Sequence, residues 1–162
     1  MKIRDALDIL LAELIVALRE DGLTDEEMCA VAVFPGGGIP VDSDCGVTIW
    51  VRLVEGAATT QFPNAGFADN RKVCWWNLLT TVEMGVLRPA PIPDDTLSQI
   101  EMPTSEEQTA AAHKQMDDME AMNRAIMAAK RSIDELVPVN YTPVGPDGGV
   151  VGGTWAMTVG NG

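Results

Sequence analysis

The segment from Thr104 to Leu136 constrains the fold most, because it is a long helix-forming stretch set between segments of strand-like sequence. Thr104 and Glu107 have the spacing of a capping box, in which the two side chains bond backbone N–H groups that a helix start leaves unpaired. Apolar residues then recur at three- and four-residue spacing: Ala112, Met116, Met119, Met122, Ile126, Ala129, Ile133 and Leu136. The sequence therefore predicts a helix over 104–136 whose apolar face packs on another layer.

A second amphipathic helix is predicted at 3–20, where leucines recur at helical spacing and Gly22 provides a stop. Strands are predicted from alternating or short apolar runs at 29–34, 46–56, 75–88 and 154–159. The order is thus α-β-β-β-α-β. We expect one α+β domain over residues 1–162, with a mainly antiparallel sheet packed against the two long helices. Long loops are expected at 55–73 and 89–103, and a crossover to a parallel neighbouring strand stays open.

The charge balance restricts the partners of this chain. Twenty-four acidic residues against eleven basic ones give a formal net charge of −13, which repels a phosphate backbone. Sequence-specific nucleic-acid binding is therefore not expected, although acidity is also an ordinary route to solubility. Asp5, Asp8 and Glu13 interrupt the apolar start of the chain, and no uncharged run reaches the roughly 18 residues that a bilayer requires. Neither a signal peptide nor a membrane association is predicted.

Few residues have the pattern of a reactive site. The only histidine, His113, has Asp117 one helical turn later, but a metal site needs more donors than this pair supplies. Asp42, Ser43 and Asp44 match half of a cation-binding loop and lack its remaining ligands. The three cysteines follow no ligand or redox spacing and are interpreted as reduced, buried thiols: Cys29, Cys45 and Cys74. The sequence predicts that the protein is not an enzyme and binds no cofactor or metal.

The tryptophans are the best candidates for contact with another chain. Trp50, Trp75 and Trp76 lie on predicted strands or at their ends, and successive residues of a strand point to opposite faces. At least one of the adjacent pair should therefore avoid the domain's own core, and exposed tryptophans anchor interfaces. The strand face that carries Trp75 also carries Glu83 and Leu87, a mixed surface suited to partial cover by another subunit. These five residues are the interface candidates, and burial of the tryptophans in the core is the alternative.

Four stretches of the sequence share a pattern with a known class of proteins. They are WWNLLTTVEMGVLRPAPIPDD (75–95), PTSEEQTAAAHKQMDDMEAMNRAI (103–126), YTPVGPDGGVVGGTWAMTV (141–159) and, more loosely, CGVTIWVRLV (45–54). This pattern resembles small neck proteins of siphophages that infect actinobacteria, of the tail-terminator or head-to-tail connector type. The resemblance covers roughly the C-terminal half of the chain and involves no catalytic residues.

The resemblance implies a sheet flanked by helices and a ring, commonly hexameric, that caps the growing tail tube and docks it to the head. The implied partners are copies of the same chain, the tail-tube protein and a head–tail connector or stopper protein. No interaction with a membrane is implied. Such a protein is assembled in the host cytoplasm and resides in the neck of the virion. Genomic DNA would pass through without specific binding, because acidic side chains lining a lumen repel phosphates. The lumen candidates are acids of the predicted loops and helix: Asp42, Asp44, Asp94, Asp95, Asp117, Asp118 and Glu120.

Other functions stay open at the level of sequence. Within the virion, the chain could instead be a head-to-tail adaptor, a stopper or a tail-tube subunit. A small cytoplasmic metal-dependent enzyme would use His113 with Asp117 or with the acidic loops. The third alternative is an acidic protein that binds a basic host protein by imitating nucleic acid.

Overall fold

A computed structural model of the 162-residue chain describes residues 1–36, 38, 46–66, 76–91, 94–96, 99–147 and 149–161. Within these ranges the chain forms two helices and seven strands. In chain order they are α1 (Ile3–Glu20), β1 (Met28–Phe34), β2 (Val47–Thr59), β3 (Asn77–Pro89), β4 (Asp94–Thr96), β5 (Gln99–Glu101), α2 (Ser105–Ala129), β6 (Leu136–Asp147) and β7 (Val150–Asn161). The predicted α+β class and its order of helix, three strands, helix and strand are confirmed.

The large sheet has five strands in the order β1-β2-β3-β7-β6. β3 lies at its centre and pairs antiparallel with β2 on one side and with β7 on the other. β6 and β7 form an antiparallel hairpin, whereas β1 runs parallel to β2. β4 and β5 form a separate antiparallel pair. The prediction of a mainly antiparallel sheet is therefore confirmed.

Both helices pack against each other and against one face of the large sheet. The strand residues in this shared core include Ile49, Val51, Val82, Met84, Val86, Met157 and Val159. The helix residues include Leu7, Leu10, Leu14 and Leu18 of α1, with Ala121, Met122, Ala125 and Ile126 of α2. The predicted apolar face of α1 is thus its buried face. On α2 the burial is confined to the C-terminal half, and Met116 is 56% exposed.

Several predicted boundaries differ from those of the structure. α2 ends at Ala129 instead of Leu136, because Leu136 is the first residue of β6. Leu136 continues the helical spacing and is fully buried, but spacing alone does not separate a buried strand residue from a helical one. β2 continues to Thr59, so the predicted loop at 55–73 begins later, and the predicted loop at 89–103 contains β4 and β5.

β6 is absent from the sequence-based prediction because its prolines are turn signals. Pro138, Pro143 and Pro146 all lie within this strand. Proline lacks the N–H that a central strand needs, but an edge strand has one side that need not pair. β6 is an edge strand of the large sheet, which explains how it accommodates all three.

The interpretation of the cysteines as reduced and buried is wrong for Cys29. This residue lies on the exposed side of β1 and is disulfide-bonded. The spacing of three cysteines in a sequence carries no information on which of them approach each other in space. Cys45 and Cys74 lie outside the described residues.

Trp50 packs on the face of the sheet that is turned away from the helices. It is directly opposite Gly85 in the β2–β3 register and is fully buried. A Cβ at Gly85 would lie 2.3 Å from Cζ2 of Trp50, so the indole ring occupies the space that any other side chain would need. Leu87 and Val150 complete this smaller apolar cluster.

Replacing Gly85 with alanine should therefore destabilise the protein by about 1–3 kcal/mol, the usual cost of overpacking. Gly56→Ala is the matched control, because the nearest atom to a Cβ there is 3.8 Å away, an ordinary contact. Equilibrium urea denaturation measures the free energy of unfolding of both variants. Equal effects of the two substitutions would contradict this account of Trp50.

Candidate assembly surfaces

A cavity of about 550 Å³ lies at one end of the large sheet. It is bounded by the chain that follows β3, by the first turns of α2 and by the tip of the β6–β7 hairpin. Its apolar lining includes Ala90, Pro91, Met102, Pro103, Ala112 and Pro146. The polar side chains on its described wall are those of Gln108 and Gln115, neither of which titrates. The described wall thus has the composition of a binding surface for an apolar group and supplies no acid, base or nucleophile.

The predicted capping box is present and fixes the start of α2, the helix that forms one wall of this cavity. Thr104 Oγ1 accepts a hydrogen bond from the backbone N–H of Glu107 at 3.2 Å. In return, the backbone N–H of Thr104 donates to Glu107 Oε2 at 2.7 Å. This backbone bond and a second one from the Thr104 hydroxyl lower the pKa of Glu107. The start of α2 is therefore fixed beside Pro103, where the chain enters the cavity wall.

Gln115 connects α2 to both strands of the β6–β7 hairpin. Its side-chain amide donates to the carbonyl oxygen of Val144 at 3.2 Å and to that of Gly152. Because both partners are acceptors, the nitrogen of the amide faces them and the orientation of the group is determined. No hydrogen bond to the amide oxygen is formed within the described part of the chain. Gln108 on the same wall likewise donates through its amide nitrogen, to the carbonyl oxygen of Pro103 at 3.0 Å. The side chains of both glutamines therefore carry an amide oxygen that can accept a hydrogen bond.

Next to the cavity, Arg88 at the end of β3 forms a bidentate ion pair with Asp118 of α2. The Nε–Oδ2 distance is 2.6 Å and the Nη2–Oδ1 distance is 2.8 Å. The two side chains are 14% and 2% exposed, respectively. Asp118 was predicted to line a lumen, and its burial makes that prediction wrong. Its position three residues after Gln115 and four before Met122 places it on the inward stripe of the helix.

Removing the carboxylate in Asp118→Asn should cost about 3–5 kcal/mol, because Arg88 would be left as a poorly paired charge in a buried setting. Asp117→Asn is the matched control, since Asp117 is the adjacent residue and is exposed. The free energies of unfolding can be compared by urea denaturation at neutral pH. A loss below 1 kcal/mol for Asp118→Asn would show that the pair is not a structural link.

Trp76 lies at the opposite end of β3 from the cavity. It immediately precedes Asn77, the first residue of the strand, and its side chain is 61% exposed. Leu78, two residues later, is also exposed. Among the predicted interface residues that the structure describes, Trp76 is thus the one that presents a large apolar surface. Trp75 lies outside the described residues.

The three other interface candidates within the described ranges make their contacts inside the protomer. Trp50 and Leu87 are buried and present no surface to a partner, which corrects the prediction for both. Glu83 is largely buried beside Arg52, its register partner on β2, with an Nη2–Oε2 distance of 2.6 Å. Alternation along β3 predicts the face of each residue, but it does not reveal that the Trp50 ring covers Gly85.

The structure describes the side chains of three of the seven predicted lumen acids, and all three lie on α2: Asp117, Asp118 and Glu120. Asp42 and Asp44 lie outside the described residues, and the side chains of Asp94 and Asp95, in β4, are not described. Asp117 and Glu120 are exposed on α2. These two line a cleft of about 260 Å³ together with a third acid, Asp21, and two basic residues, Lys114 and Arg124. This surface is of mixed charge.

The two edges of the large sheet differ in their capacity to accept a further strand. β6 carries three prolines, which remove hydrogen-bond donors from that edge. β1, at the opposite edge, contains no charged residue or proline, and its Val31 and Val33 side chains are exposed. No described strand pairs with the outer side of β1. An edge of this kind is a common site of contact between chains.

The residues considered for chemistry are described only in part, because Asp42, Ser43 and Asp44 lie outside the described residues. His113 is exposed on α2. Across the described ranges, no group of three or more histidine, cysteine, aspartate or glutamate side chains is placed to hold a metal ion. Neither of the two described helices has the length and apolar character needed to cross a bilayer. Comparison with models of protein families and with curated proteins finds no match for this chain.

Proposed function

We propose that this protein is a non-catalytic virion subunit of the phage neck, a tail-terminator ring that caps the tail tube and docks it to the head connector. The observation that carries the proposal is apolar surface that the protomer leaves uncovered, above all Trp76. The resemblance of 75–95, 103–126 and 141–159 to siphophage neck proteins supports it. The α+β order is also the one that this resemblance implies.

The distribution of this surface favours contact between unlike patches. Trp76, the outer side of β1 and the cavity beside α2 are separate regions of one protomer. When one patch meets a different patch on the next copy, the contact is heterologous, and successive contacts close into a ring if the rotation between copies allows it. A ring is the architecture that a cap on a tubular tail requires.

The acidity of the chain is compatible with passage of DNA. Six copies of a chain with a net charge of −13 would surround a lumen with a repulsive field, and repulsion of phosphates keeps a passage free of sequence-specific binding. Asp117 and Glu120 remain candidates for the lumen, although Lys114 and Arg124 reduce the net charge at that place.

The mass of the purified full-length protein in solution tests the assembly. Native mass spectrometry and light scattering should give one defined multiple of the protomer, with six copies expected. Electron microscopy of labelled virions should then place the protein between the tail tube and the head connector. A chain that stays monomeric at all concentrations and is absent from the particle would overturn the proposal. A position against the portal would instead identify an adaptor or stopper, and a position along the tail a tube subunit.

The assembled protein should show no salt-sensitive binding to double-stranded DNA. The measurement is fluorescence anisotropy of a labelled duplex between 50 and 200 mM salt, where phosphate contacts typically change affinity by about 10³–10⁵. We expect no binding at either concentration. Tight binding that is lost at the higher concentration would contradict a lumen that DNA slides through.

A further inference from the structure

We propose that Trp76 of one copy inserts into the apolar cavity beside α2 of the next copy. This inference rests on the proposed self-assembly and identifies the contact that produces it. The occupant of the cavity is therefore a second copy of this chain, and the cavity is the receptor for its exposed indole.

The geometry of β3 prevents Trp76 from filling the cavity of its own protomer. Trp76 precedes the first residue of the strand, whereas Ala90 and Pro91 of the cavity wall follow its last residue. The 13 residues between Asn77 and Pro89 span about 40 Å at the usual rise of a strand. β3 is paired on both sides, so it separates the two features as a rigid spacer.

The cavity has room for an indole, and its lining suits one chemically. The cavity volume of about 550 Å³ is larger than one aromatic side chain, and its walls carry the proline rings and methionine that pack well on aromatic faces. An indole also has one N–H donor, which requires an acceptor when it is buried. Both glutamines on the described wall have an amide oxygen that can accept it, because the amide nitrogens donate to backbone carbonyls: Gln108 to Pro103, and Gln115 to Val144 and Gly152.

The positions of Trp76 and of the cavity on the protomer determine how successive copies would be arranged. An indole at one end of β3 and its receptor at the other end make a head-to-tail contact, in which each copy uses both features with different neighbours. Such a contact leaves one free indole and one free cavity on any open chain of subunits, until a ring closes. This property allows the contact to be tested by mixing variants.

The test uses two variants of the full-length chain, each of which removes one half of the contact. Trp76→Ala keeps the cavity and lacks the indole. Ala112→Trp keeps Trp76 and fills the cavity with its own side chain, since Ala112 lies on the cavity wall. Each variant alone should self-associate about 30-fold or more weakly than the original chain, the usual loss at an interface anchor. An equimolar mixture should form one-to-one pairs and nothing larger, because only one intact contact is available.

Matched controls separate this contact from general effects on the surface or on folding. Ala110→Trp adds the same side chain to an exposed position of α2 outside the described cavity lining, and Met116→Ala removes an exposed apolar side chain from that helix. Both should assemble as the original chain does. Trp76→Phe should recover most of the association. Circular dichroism of each variant establishes that it is folded.

The outcomes distinguish this inference from the proposed function. If Trp76→Ala still assembles normally, or if the mixed variants do not pair, the inference is overturned while a ring built by other contacts remains possible. If the original chain does not assemble at all, both fail. Pairing of the mixture, with neither variant assembling alone, supports both. A blue shift of tryptophan emission on assembly that is absent in Trp76→Phe would add independent support.

Discussion

Hydrogen bonding along both sides of β3 organises this molecule, because the strand pairs with β2 and with β7 over almost all of its length. Alternate residues of β3 point to opposite faces of the large sheet. Val82, Met84 and Val86 enter the core beneath the helices, while Gly85 leaves room for Trp50 on the other side. A slip of one residue would exchange these faces and bring a bulky side chain against the indole. The register is therefore specified by both faces at once, and the ends of β3 are held at a fixed separation.

Part of this fold is predictable from local sequence signals. The helical spacing of 3–20 and the capping box at Thr104 identify both helix starts, because each signal lies within a few residues of the structure it specifies. The alternation along β3 likewise predicts its buried face. β6 escapes prediction, since its prolines are compatible with a strand only when that strand is at an edge, and edge position is a property of the whole sheet.

The candidate site depends on contacts between residues that are distant in sequence, which local patterns do not show. Trp50 is buried because Gly85 faces it, 35 residues away along the chain, so its exposure could not be inferred from its own strand. The cavity arises where three separate segments meet. Asp118 is a different case: the sequence-based prediction placed it among the solvent-facing acids of the helix, although its spacing of four residues to Met122 is that of a shared helix face. A charged residue at such a position predicts a buried partner, and Arg88 is that partner.

In the assembly that we propose, charge and apolar contact would act in opposite directions on the association of two copies. Each carries the same net charge of −13, so copies repel one another before they touch, over a screening length of about 8 Å at physiological ionic strength. Insertion of an indole acts only at contact and gains free energy only when the ring is removed from water. Encounters that leave Trp76 exposed therefore retain the repulsion without the compensating burial. In the contact that we propose, long-range repulsion combined with a short-range anchor would restrict association to the orientation in which Trp76 enters the cavity.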